Sequence, residues 1–339
     1  MKLIKTEDAV GHVLCHDMTQ IIKDQYKDAR FRKGHVVTEE DIPVLLSMGK
    51  EHLYVWEMTS GMVHENDAAE RLLALCGQEN MIRSGVKEGK IELKAACDGV
   101  FLVDSARLVA VNSQDEVMIA TRKGGMAVRE GDKLAGMRVI PLIIEEEKLR
   151  KAEQAAGDKP LLSLKPYVRK TACIVATGGE VKKGLIKDTF TPVVIDKLKT
   201  YGIETLKVVY SGDGVENVRD AVLAMREKKP DMILCTGGMS VDPDDNTPGG
   251  IKAAGANIIA YGAPVLPGAM FLLGYFDDGM PVMGLPGCVM YAGATVFDLV
   301  LPKIAADVPV TRADLAALGE GGLCLGCKPC HYPICPFGK

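Results

Sequence analysis

Aromatic side chains are scarce in this 339-residue chain, at 5% of residues with a single tryptophan. So few rings disfavour a stacking platform for nucleic-acid bases. An excess of one charge sign is also missing: 41 lysines and arginines face 45 acids, a formal net charge of −4. That balance gives neither bulk nucleic acid nor an anionic membrane surface a footprint. Unbroken apolar runs of membrane-spanning length are absent too. Residues 256–276 and 279–297 are uncharged, but Gly262, Pro264, Pro267, Gly268 and Gly274 interrupt the first stretch and Pro281, Gly284, Pro286 and Gly287 the second. A lipid-facing helix broken so often would strand backbone polar groups in hydrocarbon. Buried strands joined by tight turns are the expectation. Residues 1–8 reach acids before any apolar signal core, so a cytoplasmic location is expected. Also missing are a GxxxxGK[ST] phosphate loop and a GxGxxG after a strand, which speaks against P-loop and ordinary dinucleotide chemistry.

The composition that remains, 47% hydrophobic and 25% charged, suits a soluble protein of two or three domains of ~100–200 residues. Residues 1–96 read as an N-terminal α+β region, with a capped helix start at 38–46, a strand at 52–56 and an amphipathic helix at 66–76. Residues 97–145 read as a small antiparallel β module, whose short apolar segments at 99–103, 108–111 and 117–120 are separated by polar turns. Residues 146–166 are expected to be a linker, with the charged stretch 145–159 a linking helix or exposed connector. Residues 167–306 alternate strands, at 171–176, 204–210, 232–235 and 281–284, with helices at 191–201, 215–228 and 289–303. Such alternation predicts an α/β domain, a mostly parallel sheet in three layers with helices on both faces. Residues 307–339 complete the chain as a linker and cysteine-rich tail.

Ligands of such sheets bind beyond the carboxyl ends of the strands. Two identical turns lie there, Thr177-Gly178-Gly179 and Thr236-Gly237-Gly238. Glycine lets backbone amides approach a ligand, and a following helix start favours anions. A bare strand-to-helix turn explains one of them; two on one sheet point to a shared rim. Acids follow the same strands: Asp188, Asp213, Asp242, Asp244 and Asp245. Each alone reads as a helix cap or turn residue. Together they would surround a divalent cation such as magnesium, carried by a phosphorylated ligand.

The run from Thr236 to Pro248, Thr-Gly-Gly-Met-Ser-Val-Asp-Pro-Asp-Asp-Asn-Thr-Pro, resembles the signature loop of the molybdopterin-binding domain of molybdenum cofactor biosynthesis. Thr177-Gly178-Gly179-Glu180 resembles that family's first Thr-Gly turn with its acid, and Asp188 stands in a loop resembling its active-site loop. Pro267-Gly268 and Gly284-Leu285-Pro286-Gly287 resemble its later turns. The resemblance implies binding of molybdopterin, its adenylylated form or the finished cofactor. The glycine turns, with Ser240, would hold pterin phosphate. Asp245, Asp188, Asp213, Asp242 and Glu180 would hold magnesium or orient molybdate or tungstate. It also implies a homo-oligomer, and delivery to a molybdoenzyme or another cofactor-synthesis protein. Three positions depart from the insertion enzymes of the family: Cys288-Val289 replaces Asn-Pro, Ala269-Met270 replaces Lys-Pro, and Asp242-Pro243-Asp244-Asp245 replaces a Gly-Asp-Tyr-Asp-like segment. Insertion of molybdate into adenylylated molybdopterin is the leading reading. A non-catalytic carrier or sensor of the cofactor and a nucleotide-modifying hydrolase are the alternatives.

Ten cysteines are unevenly placed, with Cys324, Cys327, Cys330 and Cys335 crowded into the last sixteen residues. A secreted disulfide framework would not leave the rest of a long chain so poor in cysteine. Thiolates two residues apart chelate one metal or neighbouring cluster irons, so an iron–sulfur cluster, structural zinc and free redox thiols all stay open. Gly319 to Gly322 would give this tail a flexible approach. Cys173 and Cys235, inside strand-like runs, read as small buried hydrophobes.

Overall fold

Every position from Thr171 to Thr177 is apolar or hydroxylic, the pattern of a strand covered on both faces. In the computed structural model, which describes residues 2–22, 26–55, 61–182, 184–242 and 245–339 and only the backbone of Tyr26 and Glu180, that stretch is a central strand. It is β1 (Thr171–Thr177). The others are β2 (Glu204–Ser211), β3 (Met232–Thr236), β4 (Asn257–Tyr261), β5 (Leu272–Tyr275) and β6 (Pro281–Leu285). They form a six-stranded sheet in the order β2-β1-β3-β6-β5-β4. β2, β1, β3 and β6 run parallel; β5 and β4 close one side as antiparallel strands. The uncharged stretches 256–276 and 279–297 supply β4, β5 and β6, as buried strands with tight turns.

Alternation within β1 and β3 divides the core in two. Ala172, Ile174, Met232 and Leu234 face one way, against Val194 and Leu198 of α2 (Phe190–Lys199) and Phe297, Val300 and Ile304 of α5 (Val296–Ala305). Cys173, Val175, Ile233 and Cys235 face the other, against Val218, Val222 and Met225 of α3 (Val215–Arg226) and Ile251 of α4 (Thr247–Ala253). This is the expected three-layer α/β arrangement. Each fully buried aliphatic side chain contributes about 1.5–3 kcal/mol. The approach of α4 to α3 requires Gly250, where a Cβ would stand 2.5 Å from that of Val218. A single helical turn, α1 (Gly179–Lys182), follows β1, and α6 (Arg312–Ala317) lies beyond α5.

The chain divides into two units: residues 1–96, 103–122 and 131–163, and residues 97–102, 123–130 and 164–339. The first is α+β. Its antiparallel sheet is ordered Met81–Arg83, Ile91–Ala95, Lys133–Val139, Val117–Thr121, and Arg71 joins helix Glu65–Leu75 to helix Glu146–Ala156 through Glu146 and Glu153. That last helix lies in the stretch expected as a linker. Residues 97–145, expected as one β module, are divided between the units. Within the second, Gly99–Phe101 pair with Met126–Val128.

Three local expectations are corrected. Residues 108–111 belong to a helix, Ser105–Asn112, because the Asp104 side chain accepts from the Arg107 N–H and caps its start. The helix expected over 289–303 is split into a 3₁₀ turn, Gly287–Met290, and α5, because Thr295 and Asp298 form a capping box that fixes where α5 begins. The 319–322 glycines do not make a loose arm: a Cβ at Gly322 would lie 2.3 Å from the Leu318 carbonyl oxygen and 2.6 Å from that of Pro264. Trp56, expected to end a strand, lies outside the described residues. No helix among the described residues is long and apolar enough to cross a membrane.

Candidate functional site

Parallel pairing aligns the strand ends. Thr177 stands opposite Ser211, Ala176 opposite Thr236, and Thr236 opposite Leu285. The Thr177-Gly178-Gly179 turn, the Thr236-Gly237-Gly238 turn and the Pro286-Gly287 turn therefore share one rim. Pro267 and Gly268 arrive at the same rim from the other direction, since β5 begins opposite Gly284. Gly268 is required there: a Cβ would come within 2.6 Å of Val296 Cγ1.

The two Thr-Gly-Gly turns are locked together. Thr177 Oγ1 donates to the Thr236 carbonyl at 2.9 Å and lies 3.1 Å from Thr247 Oγ1, which donates to the Gly237 carbonyl at 2.9 Å. All three threonines are buried. Gly237 takes φ +80°, and a Cβ would strike the Thr177 carbonyl oxygen at 2.3 Å. The first turn is braced by Asp213, whose Oδ2 accepts from the Gly179 N–H at 3.0 Å. Gly287, in contrast, has nothing within 4 Å of where a Cβ would sit, so its backbone faces open space.

Asp188 caps α2. Its Oδ1 accepts from the N–H groups of Phe190 and Thr191 at 2.9 and 3.0 Å. Burial opposes its ionisation, but hydrogen bonding from Thr191 and Phe190 outweighs it and holds the carboxyl below its ordinary range. Its other oxygen, Oδ2, and Thr191 Oγ1 meet no partner at full hydrogen-bond geometry, and the Thr191 and Tyr210 hydroxyls are the groups that face the carboxylate. The Tyr210 phenol, at the end of β2, lies beside Asp188, and burial together with that carboxylate pushes its pKa up.

The remaining acids do not complete a cage. Asp242 is exposed, and its N–H reaches Asp245 Oδ2 at 3.3 Å. The Glu180 side chain and the whole of Asp244 lie outside the described residues. Among the described residues no three His, Cys, Asp or Glu side chains group to hold a metal ion by themselves. A magnesium ion fits here only as magnesium usually binds, through one or two carboxylates plus the phosphate oxygens of a ligand. Ser240 is exposed and offers its carbonyl to the Tyr261 hydroxyl at 3.3 Å. Gly284 lies inside β6 beneath Met239, where a Cβ would meet the thioether at 2.6 Å; its place is packing. Cys235 is fully buried and its thiol pushed up to about 12 by desolvation, an inert core residue. The tail cysteines lie elsewhere, around a cavity of their own.

Thr247, Thr191 and Tyr210 had no individual role in the sequence reading. Thr247 was visible inside the loop signature; nothing local singled out the other two.

Residues 173–306, which carry this rim, match the family described as “Probable molybdopterin binding domain”. Residues 3–57 match a second family, described as a domain of unknown function (DUF8806). A CinA-like protein of Petrotoga mobilis is 33% identical over 76 residues, 22% of this chain and 19% of that protein. The chain thus spans about a fifth of the length of the curated relatives it matches. Among solved structures, the molybdopterin biosynthesis Mog protein of Mycobacterium ulcerans aligns at 20% identity with a TM-score of 0.35, over 42% of this chain and 95% of that one. The molybdopterin biosynthesis MoeA protein of Pyrococcus horikosii aligns at 15% identity with a TM-score of 0.33, over 76% of this chain and 82% of that one. Strand order and direction, not these scores, carry the description of the α/β domain given above.

Proposed function

We propose that the rim binds adenylylated molybdopterin and that the chain inserts molybdate, or tungstate, into it, with the adenylyl group leaving as AMP. The supporting observation is the pair of Thr-Gly-Gly turns set side by side on neighbouring parallel strands and locked by Thr177 and Thr247. Their backbone, with Pro286-Gly287 and Pro267-Gly268, would take the pterin phosphate. Asp188, whose Oδ1 caps α2 and leaves Oδ2 to other partners, would take magnesium or orient the oxyanion, supported by Asp213, Asp242 and Asp245. Magnesium would supply charge neutralisation of the phosphates. Exposed Leu185 and Val241 beside this rim, 72% and 84% accessible, support contact with a second copy or with a protein that receives the product.

The test is AMP release from adenylylated molybdopterin on adding molybdate and magnesium. Release that is lost in Asp188→Asn supports insertion; tight binding with no release overturns it. A second reading, a carrier of finished cofactor, is favoured by Ala269 and Met270, which stand where the insertion enzymes carry Lys-Pro. Tight binding of the finished cofactor without turnover would select it.

A further inference from the structure

The proposed reaction leaves the four tail thiols unused, and the tail that carries them is fastened down. The Leu266 N–H donates to the Gly322 carbonyl and the Cys324 N–H to the Leu266 carbonyl, both at 2.8 Å. The Tyr332 hydroxyl donates to the Asp298 carbonyl at 3.0 Å, and Phe337 is buried in the same core as α5. Held in this way, Cys324, Cys327, Cys330 and Cys335 all line one cavity of about 380 Å³, whose opposite wall is the 291–294 loop.

We propose that this cavity holds an iron–sulfur cluster ligated by those four cysteines. The ligand set is four thiolates in one short run, spaced by two, two and four residues, with Pro336 after the last. None of the four is in a disulfide. Four thiolates in such a run can supply one ligand to each iron of a four-iron cluster, and the cavity of about 380 Å³ that they line has room for a polynuclear core. Zinc on the same four thiolates is the competing outcome of the test below.

The walls suit a cluster too. Cys324 and Cys335 pack on the apolar core with Tyr332 and Phe337, while Cys327 and Cys330 are exposed. Gly293 allows the loop backbone to meet Cys330, since a Cβ there would lie 2.8 Å from its Sγ. Such burial and backbone contact are what tune cluster potential. Pro267 lines this cavity and also belongs to the rim turn, so the cluster would lie beside the proposed pterin site. The assignment itself stands without the pterin reading.

The experiment uses the full chain, free of pterin, purified anaerobically and then treated with equal amounts of ferrous and ferric iron and with sulfide. Iron and acid-labile sulfide are assayed alongside visible absorbance and electron paramagnetic resonance after reduction. The expected result is about four irons and four sulfides per chain. Cys327→Ser and Cys330→Ser, at the exposed positions, should lose at least tenfold of the iron with unchanged far-UV circular dichroism. Cys97→Ser, away from the tail, should retain it. One zinc per chain without sulfide, or four thiols that still titrate after iron and sulfide treatment, would overturn the proposal. Because no pterin is present, a failed insertion assay leaves this result untouched.

Discussion

Thr177 and Thr247, seventy residues apart in sequence, bring their hydroxyl oxygens to 3.1 Å across the rim of the sheet. The two hydroxyls own two protons and have four acceptor oxygens within reach, the Thr236 and Gly237 carbonyls and each other's Oγ1. The arrangement therefore works as a shared clasp, and opening either end leaves a buried carbonyl unsatisfied. Thr177→Val should lower stability by about 1–3 kcal/mol, read as a lower urea midpoint at unchanged slope. Molybdopterin binding should fall in the same variant.

The glycines of the rim should divide into two classes. Gly237→Ala places a Cβ on the Thr177 carbonyl at a positive φ and should cost about 3 kcal/mol of stability. Gly287→Ala meets open space and should leave the urea midpoint where it is, while weakening ligand affinity at least fivefold. Thermal or urea unfolding of both, with pterin titration of the second, checks the contrast. A Gly287→Ala protein that binds normally would remove this turn from the site.

Asp188 makes a pH prediction with a definite sign. Its folded-state pKa is depressed, so its ionised form adds stability that is fully present above the ordinary aspartate pKa of about 3.9. That contribution disappears as pH falls through the lower folded value. Wild type should therefore exceed Asp188→Asn in stability by a constant amount near neutrality, and the gap should close under acid. Asp231 provides the control. Its Oδ2 accepts from the N–H groups of Lys170 and Thr171 at the start of β1, and its pKa is also depressed. Asp231→Asn should show the same acid convergence with ligand binding unchanged.

Lys197 and Asp298 form a largely buried ion pair between α2 and α5. Asp298 also accepts from Thr295 in the α5 capping box, and its carbonyl takes the Tyr332 hydroxyl. Lys197→Met removes one partner and leaves the carboxylate buried, which should cost about 3 kcal/mol. Replacing both, in Lys197→Met with Asp298→Leu, should recover part of that loss in a double-mutant cycle.

Much of the rim was legible because its signals are local. A buried strand that ends in Thr-Gly-Gly can be read from a few residues, and two such strands in an alternating α/β pattern imply parallel neighbours. What escaped depended on distant partners. Tyr210 matters through Asp188, 22 positions away, and no spacing rule links a strand end to a loop acid across a sheet. The apolar run 108–111 suits a strand or a helix equally, and a single cap, Asp104, decided for helix. The 319–322 glycines gave the opposite signal to the structure, because glycine is chosen both where a chain must be loose and where backbones must touch.

The strand order has a consequence for how the chain is made. β3 has β1 on one side and β6 on the other, and about 45 residues separate the end of β3 from the start of β6. At about 5–20 residues per second, the ribosome leaves the edge of the most apolar strands open for several seconds. During that interval the Met-Ile-Leu-Cys ladder of β3 is a template for pairing with any other extended chain. Destabilising changes in β6 or in the β4–β5 hairpin should therefore show themselves first as lost yield of soluble protein during expression, before any loss of activity in the molecules that do complete the sheet.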